Sequence, residues 1–297
     1  MGPMRAAWAV IKRTVISFYD DQMTHHAAAL TYYALMSLFP AALFALSLLG
    51  LVGEYPRTYN AIINYLTDVV PESALDPLNS SLKTAFQDKS TAATTLAIST
   101  VLALYGTTGA LEAARRALNV VFETEGSRSF LRRKSIDIAL TLGLMSLVLV
   151  ALIMLFVGGG FARDLFGFVG LGSTGADIWS VARWPGAIAV TMLIFAILYY
   201  VSPDVEHRSF RWVTPGAALG VLIWITASAG FSYYISQVAN VGAVYGAFAG
   251  AIVLVAWLWL TNVSLLLGAE FDAEIERQKE LSEGIPMEET LDLPTKG

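Results

Sequence analysis

Long apolar runs with almost no charged residues recur along most of the chain and predict membrane-crossing helices. A helix needs about 20 mainly apolar residues to cross the hydrocarbon core of a bilayer. Five runs are strongly apolar, and a sixth, 92–111, is diluted by threonine and serine but carries no charge. Hydroxyl groups on a helix can bond their own backbone carbonyls, so this sixth run fits a span that faces protein more than lipid. The predicted spans are 28–52, 92–111, 136–157, 185–201, 213–235 and 244–267.

Composition agrees with a membrane location. The chain is 56% hydrophobic and 14% charged, with a mean hydropathy of +0.59, which exceeds the ordinary range of soluble domains. It has no cysteine, which excludes disulfides, thiolate metal sites and cysteine nucleophiles. A formal net charge of -5 argues against a general nucleic-acid binder. The predicted fold class is therefore all-α: a polytopic integral membrane bundle of six transmembrane helices.

Basic residues predict the orientation of this bundle. Cytoplasmic loops of membrane proteins retain Lys and Arg, and most of the 19 Lys and Arg residues fall in segments that six spans place on one side. The basic stretch at 110–134 lies between the second and third spans. We interpret it as an orientation signal rather than a nucleic-acid site, and we expect both termini to be cytoplasmic.

The spans divide the chain into three regions. Residues 1–27 are predicted to be a cytoplasmic segment, 28–270 the transmembrane domain, and 271–297 an acidic cytoplasmic tail with a disordered end. Within the domain, the extracytoplasmic insert 53–91 has apolar residues at helical spacing up to Pro71 and again beyond it. We expect amphipathic helices there, which serve either as a structural cover or as a lid over a cavity.

Small residues predict where helices pack closely. A row of glycines at every fourth position begins the last span, and two more glycines at the same spacing lie in the fifth. Such rows allow a neighbouring helix to approach, within one chain or between two copies in a homo-oligomer. The residues are Gly216, Gly220, Gly242, Gly246 and Gly250.

Two spans contain candidates for a cavity. Pro40 interrupts the first span and removes a backbone hydrogen bond, so a kink is expected there, with Tyr32 on its cytoplasmic side. A freed carbonyl within the membrane requires protein or a wet cavity beside it. In the last span, Asn262 lies between two hydroxyl residues and is the residue that we expect to line a cavity.

A cytoplasmic gate is the second candidate feature. Glu270 ends the last span, and Glu112 precedes the basic pair Arg115 and Arg116, with Asn119 one turn further on. Ionisable groups near a membrane core tend to be paired and functional, so either glutamate is predicted to pair with either arginine. The alternative is that all of these residues are solvated in the headgroup region.

Hydrolytic chemistry has few candidate residues. The chain has three histidines, of which His25 and His26 are adjacent and therefore point about 100° apart on a helix. His207 lies near Asp204 and Glu206 without metal-ligand spacing, and the glycines at 158–160 lack the lysine and hydroxyl of a phosphate loop. We predict no catalytic, cofactor-binding or metal-binding residues.

Several segments in order resemble the YihY/BrkB family of bacterial inner-membrane proteins. They are "HHAAALTYYALMSLFPAALFALSLLG", "YGTTGALEAARRALNVVFE", "WVTPGAALGVLIWITASAGFSYYIS" and "YGAFAGAIVLVAWLWLTNVSLLLGAEFDAEIER". The resemblance extends from about residue 25 to residue 277 and implies a six-helix protein of the bacterial cytoplasmic membrane. Members have carried the labels ribonuclease BN and virulence factor, and the family is similar to transporters in character.

The expected function is transporter-like, with translocation of a lipid or another amphiphile favoured by the apolar bundle and the scarcity of buried charge. A secondary transporter of a small solute is the close alternative. Two less favoured alternatives are a membrane-associated ribonuclease and a non-transporting envelope assembly protein. The expected partners are membrane lipids and such a substrate, without nucleic acid or cofactor.

Overall fold

The structure is a computed structural model of the 297-residue chain. It describes residues 3–52, 56, 59–60, 63, 79–80, 83–84, 86–124, 129–156, 172–205, 214–237 and 248–283. Within these residues there are seven helices of 18 residues or more. They are α1 Pro3–Asp20, α2 Met23–Val52, α3 Lys89–Val121, α4 Phe130–Phe156, α5 Gly172–Val201, α6 Pro215–Gln237 and α7 Ala249–Glu283.

The membrane bundle predicted from the apolar runs is confirmed. Of the described part of the chain, the five helices α3 to α7 are long and apolar enough to cross a membrane. Helix α2 is outside this set, but its 30 residues cover the first predicted span. Each of the six predicted spans thus overlaps a long helix, and the protein is an all-helical, polytopic membrane protein.

The chain divides into two compact units. The larger unit comprises Met1–Thr31 and Leu111–Gly297, and the smaller unit comprises Tyr32–Ala110. In the smaller unit α2 and α3 approach closely at two glycines. A Cβ on Gly106 would lie 3.1 Å from the Cα of Ser37, and one on Gly109 would lie 2.8 Å from Cδ1 of Tyr33. The hydroxyls of α3 bond its own backbone, as expected for this polar span; Thr107, for example, donates to the carbonyl of Ala103 at 2.7 Å.

In the larger unit the helices alternate in direction. Contacts join the end of α3 to the residues just after α5, the end of α3 to the start of α4, and the start of α6 to α7. The turn between α1 and α2 lies at the same place, since Asp21 reaches Glu270 of α7. The ends of α3, α5 and α7 therefore meet the starts of α2, α4 and α6 at one end of this unit. We call it the charged end, after the residues described below.

Glycines set the closest helix contact, between α6 and α7. A Cβ on Gly216 would overlap the carbonyl oxygen of Gly268, and one on Gly220 would lie 3.0 Å from the carbonyl oxygen of Ser264. Tyr199 of α5 donates its hydroxyl to the carbonyl of Leu265 at 2.5 Å, so α5 also contacts α7 near this point. Gly250 has no atom within 4 Å of a Cβ position among the described residues, and Gly242 and Gly246 lie outside them.

Residues 3–20 form a helix that sequence analysis did not predict. Helix α1 packs against α7 through Val10, Thr14 and Phe18, which are buried. Burial of an apolar side chain of this size contributes roughly 1.5–3 kcal/mol. The opposite face of α1 remains exposed and is largely apolar; it carries Trp8, Ile11, Val15, Ile16 and Tyr19.

Helix α7 continues past the end of the last predicted span and includes residues 271–283. Helix α7 has 35 residues and is about 52 Å long, whereas the hydrocarbon core is about 30 Å thick. Its last turns pack on α1, and Ala273, Glu274 and Glu280 are buried there. The predicted disordered end from residue 284 onward lies outside the described residues.

One other sequence expectation differs from the structure. Helix α5 begins at Gly172, so Pro185 lies inside it rather than at its start. A proline removes one hydrogen bond from a helix, but membrane helices tolerate this where neighbours pack against the gap. The apolar residues at the end of α3 are buried in the protein; they are Leu111, Ala114, Leu118, Val121 and Phe122.

Most of the predicted amphipathic insert 53–91 lies outside the described residues. Its described part belongs to the smaller unit, where the hydroxyl of Tyr59 donates to the side chain of Asn79 and its ring meets Phe86 edge-on. Helix α3 begins where Asp88 caps it. The carboxylate of Asp88 accepts the backbone N–H groups of Ser90 and Thr91 at 3.0 and 3.1 Å, as expected of an N-terminal cap.

Candidate functional site

Buried charged residues gather at the charged end of the larger unit. Glu270, Glu274 and Glu280 belong to α7, and the others come from α3, from α4 and from the connection after α5. Taking charge out of water is costly unless it is paired, so each of these residues needs a partner. The buried charged residues are Arg115, Asp137, Asp204, Glu270, Glu274 and Glu280.

Arg115 is paired with Asp137. Its Nη1 donates to the two carboxylate oxygens at 2.9 and 3.2 Å, and the two side chains are only 4% and 10% exposed. The prediction paired Glu270 or Glu112 with Arg115 or Arg116. Glu112 lies 3.6 Å from Arg116 on the surface of the same helix. The buried pair therefore links α3 to α4 and leaves Glu270 to other neighbours.

Asn119 holds the connection after α5. Its amide oxygen accepts the backbone N–H of Asp204 at 2.9 Å, and its amide nitrogen donates to the carboxylate of Asp204 at 3.2 Å. An asparagine can make both bonds at once because it carries a donor and an acceptor. Asn119 thus has a definite role in positioning this loop at the charged end.

Asp272 of α7 caps the start of α6. Its Oδ1 accepts the backbone N–H of Gly216 at 2.7 Å, while Thr214 accepts the N–H of Ala217 at 3.0 Å. The first N–H groups of a helix have no partner within it, and a carboxylate there also complements the positive end of the helix dipole. The close approach of Gly216 to α7 makes this contact between two helices possible.

An acidic cluster lies beside these contacts and consists of Asp21, Glu123, Glu270 and Glu274. Two arginines enter it. Arg13 of α1 donates from Nε to Glu274 at 2.7 Å and from Nη2 to Gln278 at 2.9 Å. Arg277 pairs with Glu123 and lies 3.7 Å from Glu274. Arg13 thus pairs with Glu274, and Arg277 pairs with Glu123 beside Glu274.

Glu270 is the most buried member of the acidic cluster. It is 1% exposed, and its Oε1 has no hydrogen-bond partner among the described residues. Its carboxyl group is within hydrogen-bonding reach of the carboxyl of Asp21, and Glu123 and Glu274 are its other charged neighbours. In the part of the chain that the structure describes, Glu270 makes no ion pair with Lys or Arg.

Two strained backbone positions lie beside or within the acidic cluster. Gln22, which follows Asp21, has a φ of 53°, and Glu123 has a φ of 50°. Both values lie in the left-handed region that residues other than glycine rarely adopt. At the end of α3, the N–H of Glu123 bonds the carbonyl of Val120 and the N–H of Thr124 bonds that of Asn119. This is the Schellman arrangement, in which glycine is the usual residue at the position of Glu123.

Asp21 lies in the turn between α1 and α2, outside the membrane spans. Partial burial raises its pKa, and the carboxylates of Glu123 and Asp20 raise it further, while the contact with Glu270 and the charge of Arg277 oppose them. The ionised form of Asp21 is therefore disfavoured at the place where it meets Glu270.

Along α6 and the part of α7 before Glu270, the polar side chains that the structure describes between helices are neutral. Asn262 of α7 donates to the hydroxyl of Thr31 at 3.1 Å. Two tryptophans bridge α6 and α7, since Trp224 donates to Thr261 at 3.0 Å and Trp257 donates to Ser228 at 3.1 Å. No charged residue occurs in α6, or in α7 before Glu270. Asn262, which was expected to line a cavity, thus belongs to one of three neutral hydrogen-bonded pairs.

The remaining predicted residues lie in the smaller unit or on its helices. Tyr32 is exposed, and its ring meets that of Tyr33 edge-on at 5.3 Å between centroids. Pro40 lies within α2, which runs without a break from Met23 to Val52. The structure therefore brings Arg115, Asn119 and Glu270 to the charged end, and it places Glu112 and Arg116 on the outer surface of α3.

Among the residues of the charged end that sequence analysis missed are Asp21, Asp137 and Asp272. Asp137 had a readable signal, because it is a single carboxylate at the start of a long apolar run. Asp21 and Asp272 sit in polar segments where acidic residues are ordinary. No group of three or more His, Asp or Glu residues with a geometry for a metal ion occurs among the described residues, and Glu206 and His207 lie outside them.

The fold and this arrangement of charge define a polytopic helical membrane protein, and comparison with known proteins identifies its family. The family model described as Virulence factor BrkB matches residues 14–290, so the chain belongs to the BrkB family. The resemblance deduced from the sequence is thereby confirmed.

Two relatives illustrate the range of the family. The chain is 30% identical over 260 residues to the ribonuclease-like protein YfkH of Bacillus subtilis, covering 88% of this chain and 92% of that protein. It is 27% identical over 271 residues to a UPF0761 membrane protein of Nitrosospira multiformis, covering 88% of this chain and 59% of the longer relative. No solved structure matches the chain.

Proposed function

We propose that this protein moves a lipid or another amphiphile across the bacterial cytoplasmic membrane, with both termini on the cytoplasmic side. The observation that carries the proposal is the separation of polar groups along the larger unit. Buried charges gather at the charged end, whereas α6 and the membrane part of α7 hold only neutral pairs. An amphiphile has the same division between a polar head and an uncharged chain.

The neutral hydrogen-bonded pairs of α6 and α7 also support the proposal. Asn262, Thr261 and Ser228 each offer hydrogen-bonding groups at membrane depth, where they are satisfied by a side chain of another segment. A headgroup passing this level would exchange those bonds for bonds to itself, which limits the cost of burying a polar group. Ionisable side chains within a span are typical of ion and proton pathways, and the sequence of α6 and of α7 before Glu270 has none.

Reconstituted vesicles test the proposal. The purified full chain is placed in phosphatidylethanolamine and phosphatidylglycerol vesicles with a trace of fluorescent phospholipid, and dithionite bleaches the outer leaflet. We expect the protein to expose the inner-leaflet probe to bleaching. Asn262→Leu should slow this exchange, while Thr226→Val, which removes an exposed hydroxyl bonded to its own helix at 2.8 Å, should not. Bleaching no faster than in protein-free vesicles, for phospholipid and glycolipid probes alike, would contradict the proposal.

The proposal assigns no hydrolytic activity to this chain, although the name of YfkH contains the word ribonuclease-like. RNA cleavage by the purified protein is the measurement that checks this part. We expect any cleavage to persist unchanged after His25, His26 and His207 are all replaced by alanine, which would identify a contaminant. Cleavage that disappears with these histidines while the protein stays folded would instead establish an enzyme.

A further inference from the structure

The carboxyl groups of Asp21 and Glu270 lie within hydrogen-bonding reach of each other. Two ionised carboxylates are acceptors only, so such a contact requires a hydrogen on one of them. Like charges this close favour one shared proton and titrate as a pair. A contact between the two carboxyl groups therefore favours a pair that holds one proton.

The burial of Glu270 strengthens the requirement for a proton on one of the two carboxyl groups. Glu270 is 1% exposed and its Oε1 has no hydrogen-bond partner among the described residues. An ionised carboxylate with an unsatisfied oxygen in such a place would carry a large desolvation cost, whereas a protonated carboxyl would not.

The surrounding charges do not remove the need for a proton. Glu270 faces Asp21 from the turn before α2, Glu123 from the end of α3 and Glu274 from the next turn of α7, and all three are acidic. Asp21 also faces Asp20 and Arg277. Arg277 pairs with Glu123, and Arg13 of α1 pairs with Glu274. The two arginines therefore compensate the other members of the acidic cluster.

We propose that Asp21 and Glu270 form a proton-binding site at the charged end, and that the proton gradient is coupled to transport through it. The coupling rests on the function proposed above, but the binding of the proton does not. The site joins the turn between α1 and α2 to α7, and α7 also carries Asn262 two turns closer to the membrane centre. Deprotonation would place two negative charges against each other and favour separation of these segments.

Infrared spectroscopy of the full chain in lipid nanodiscs tests the site directly. We expect the carbonyl stretch of a protonated carboxyl at neutral pH, and we expect it to disappear when the pH is raised. Incorporation of carbon-13 glutamate should shift this band in the wild-type protein, which requires no variant. Glu270→Gln should remove it, and Glu112→Gln, at the exposed pair with Arg116, should leave it unchanged.

Two results would overturn the site. One is a spectrum without a protonated carboxyl band at neutral pH, or with a band that neither carbon-13 glutamate nor Glu270→Gln alters. The other is loss of the band on addition of sodium at constant pH, which would show that the pair holds a metal cation instead of a proton.

Transport under a pH gradient separates this inference from the proposed function. In the vesicle assay, we expect the wild-type rate to change several-fold with the gradient and the rate of Glu270→Gln to be the same with and without it. A protonated band without any transport would contradict the proposed function and leave the site intact. Gradient-independent transport by the wild-type protein would contradict the coupling.

Discussion

Arg115 and Asp137 form a buried ion pair between α3 and α4, with Nη1 of the arginine bonded to both carboxylate oxygens at 2.9 and 3.2 Å. One residue further along α3, Arg116 pairs with Glu112 at 3.6 Å on the exposed surface. The two pairs carry the same charges but differ in burial. They therefore provide a matched test of whether the charged end is structurally necessary.

We expect Asp137→Asn to destabilise the protein by about 3 kcal/mol, because it leaves the buried guanidinium of Arg115 without its counter-charge. Glu112→Gln should cost less than about 1 kcal/mol, since solvent screens the exposed pair. Thermal unfolding of both variants in the same detergent measures the difference. Equal stability of the two variants would show that Arg115 is compensated by other groups.

The close contact of α6 with α7 predicts that the stability of the protein depends strongly on Gly216. A Cβ on Gly216 would overlap the backbone oxygen of Gly268 and approach the carboxylate of Asp272, so Gly216→Ala should force the helices apart. Overpacking of this kind costs about 1–3 kcal/mol or more. On the same helix Gly230 has no atom within 4 Å among the described residues, and Gly230→Ala should be neutral or stabilising by up to about 1 kcal/mol. Unfolding in detergent compares them, and a Gly216→Ala variant as stable as the wild type would refute the close contact.

The raised pKa of Asp21 predicts a pH dependence of stability. Because the folded-state pKa lies above the unfolded value of about 3.9, folding favours the protonated form. The resulting stabilisation is complete below the unfolded pKa and is lost as pH rises through the folded pKa. The wild type should therefore lose stability relative to Asp21→Asn as the pH increases from about 4 towards neutrality. Melting curves of both proteins across this range measure it, and a constant difference would contradict the raised pKa.

The exposed apolar face of α1 predicts contact with the membrane surface. Trp8 and Tyr19 are 67% and 68% exposed, and aromatic residues on such a face are typical of helices that lie at the interface. The chain has no cysteine, so a spin label can be attached at one introduced position without background. We expect a label at Val15→Cys in vesicles to be relaxed by oxygen, which concentrates in lipid.

A label on a polar position of α1 is the control for that experiment. Lys12 is exposed, and a label at Lys12→Cys should respond to a water-soluble nickel complex more than to oxygen. If Val15→Cys responds to the nickel complex as strongly as Lys12→Cys does, α1 lies in water and its apolar face has another partner.

Sequence alone predicted the class of fold, because apolar length decides membrane insertion almost independently of tertiary contacts. It also selected Arg115, Asn119 and Glu270, since polar groups next to spans are few. Helix α1 was missed although Val10, Thr14 and Phe18 follow helical spacing, because the basic residues at 5, 12 and 13 are equally typical of a cytoplasmic segment next to a span. The start of α5 was misplaced at Pro185, where packing of neighbouring helices outweighs the usual effect of proline.

The pairing of charged residues was decided by the tertiary structure. Helical spacing correctly describes Glu112 and Arg116, which are neighbours on one helix four residues apart. It contains no information about Asp137 reaching Arg115, Asp204 reaching Asn119, or Asp21 reaching Glu270, because these contacts join different helices. Amino-acid sequence thus determined that this protein is a helical membrane bundle, since apolar length is a local property. Only the folded chain determined which acidic groups are paired with arginine and which carboxyl meets another carboxyl, because burial and distance depend on how the helices pack.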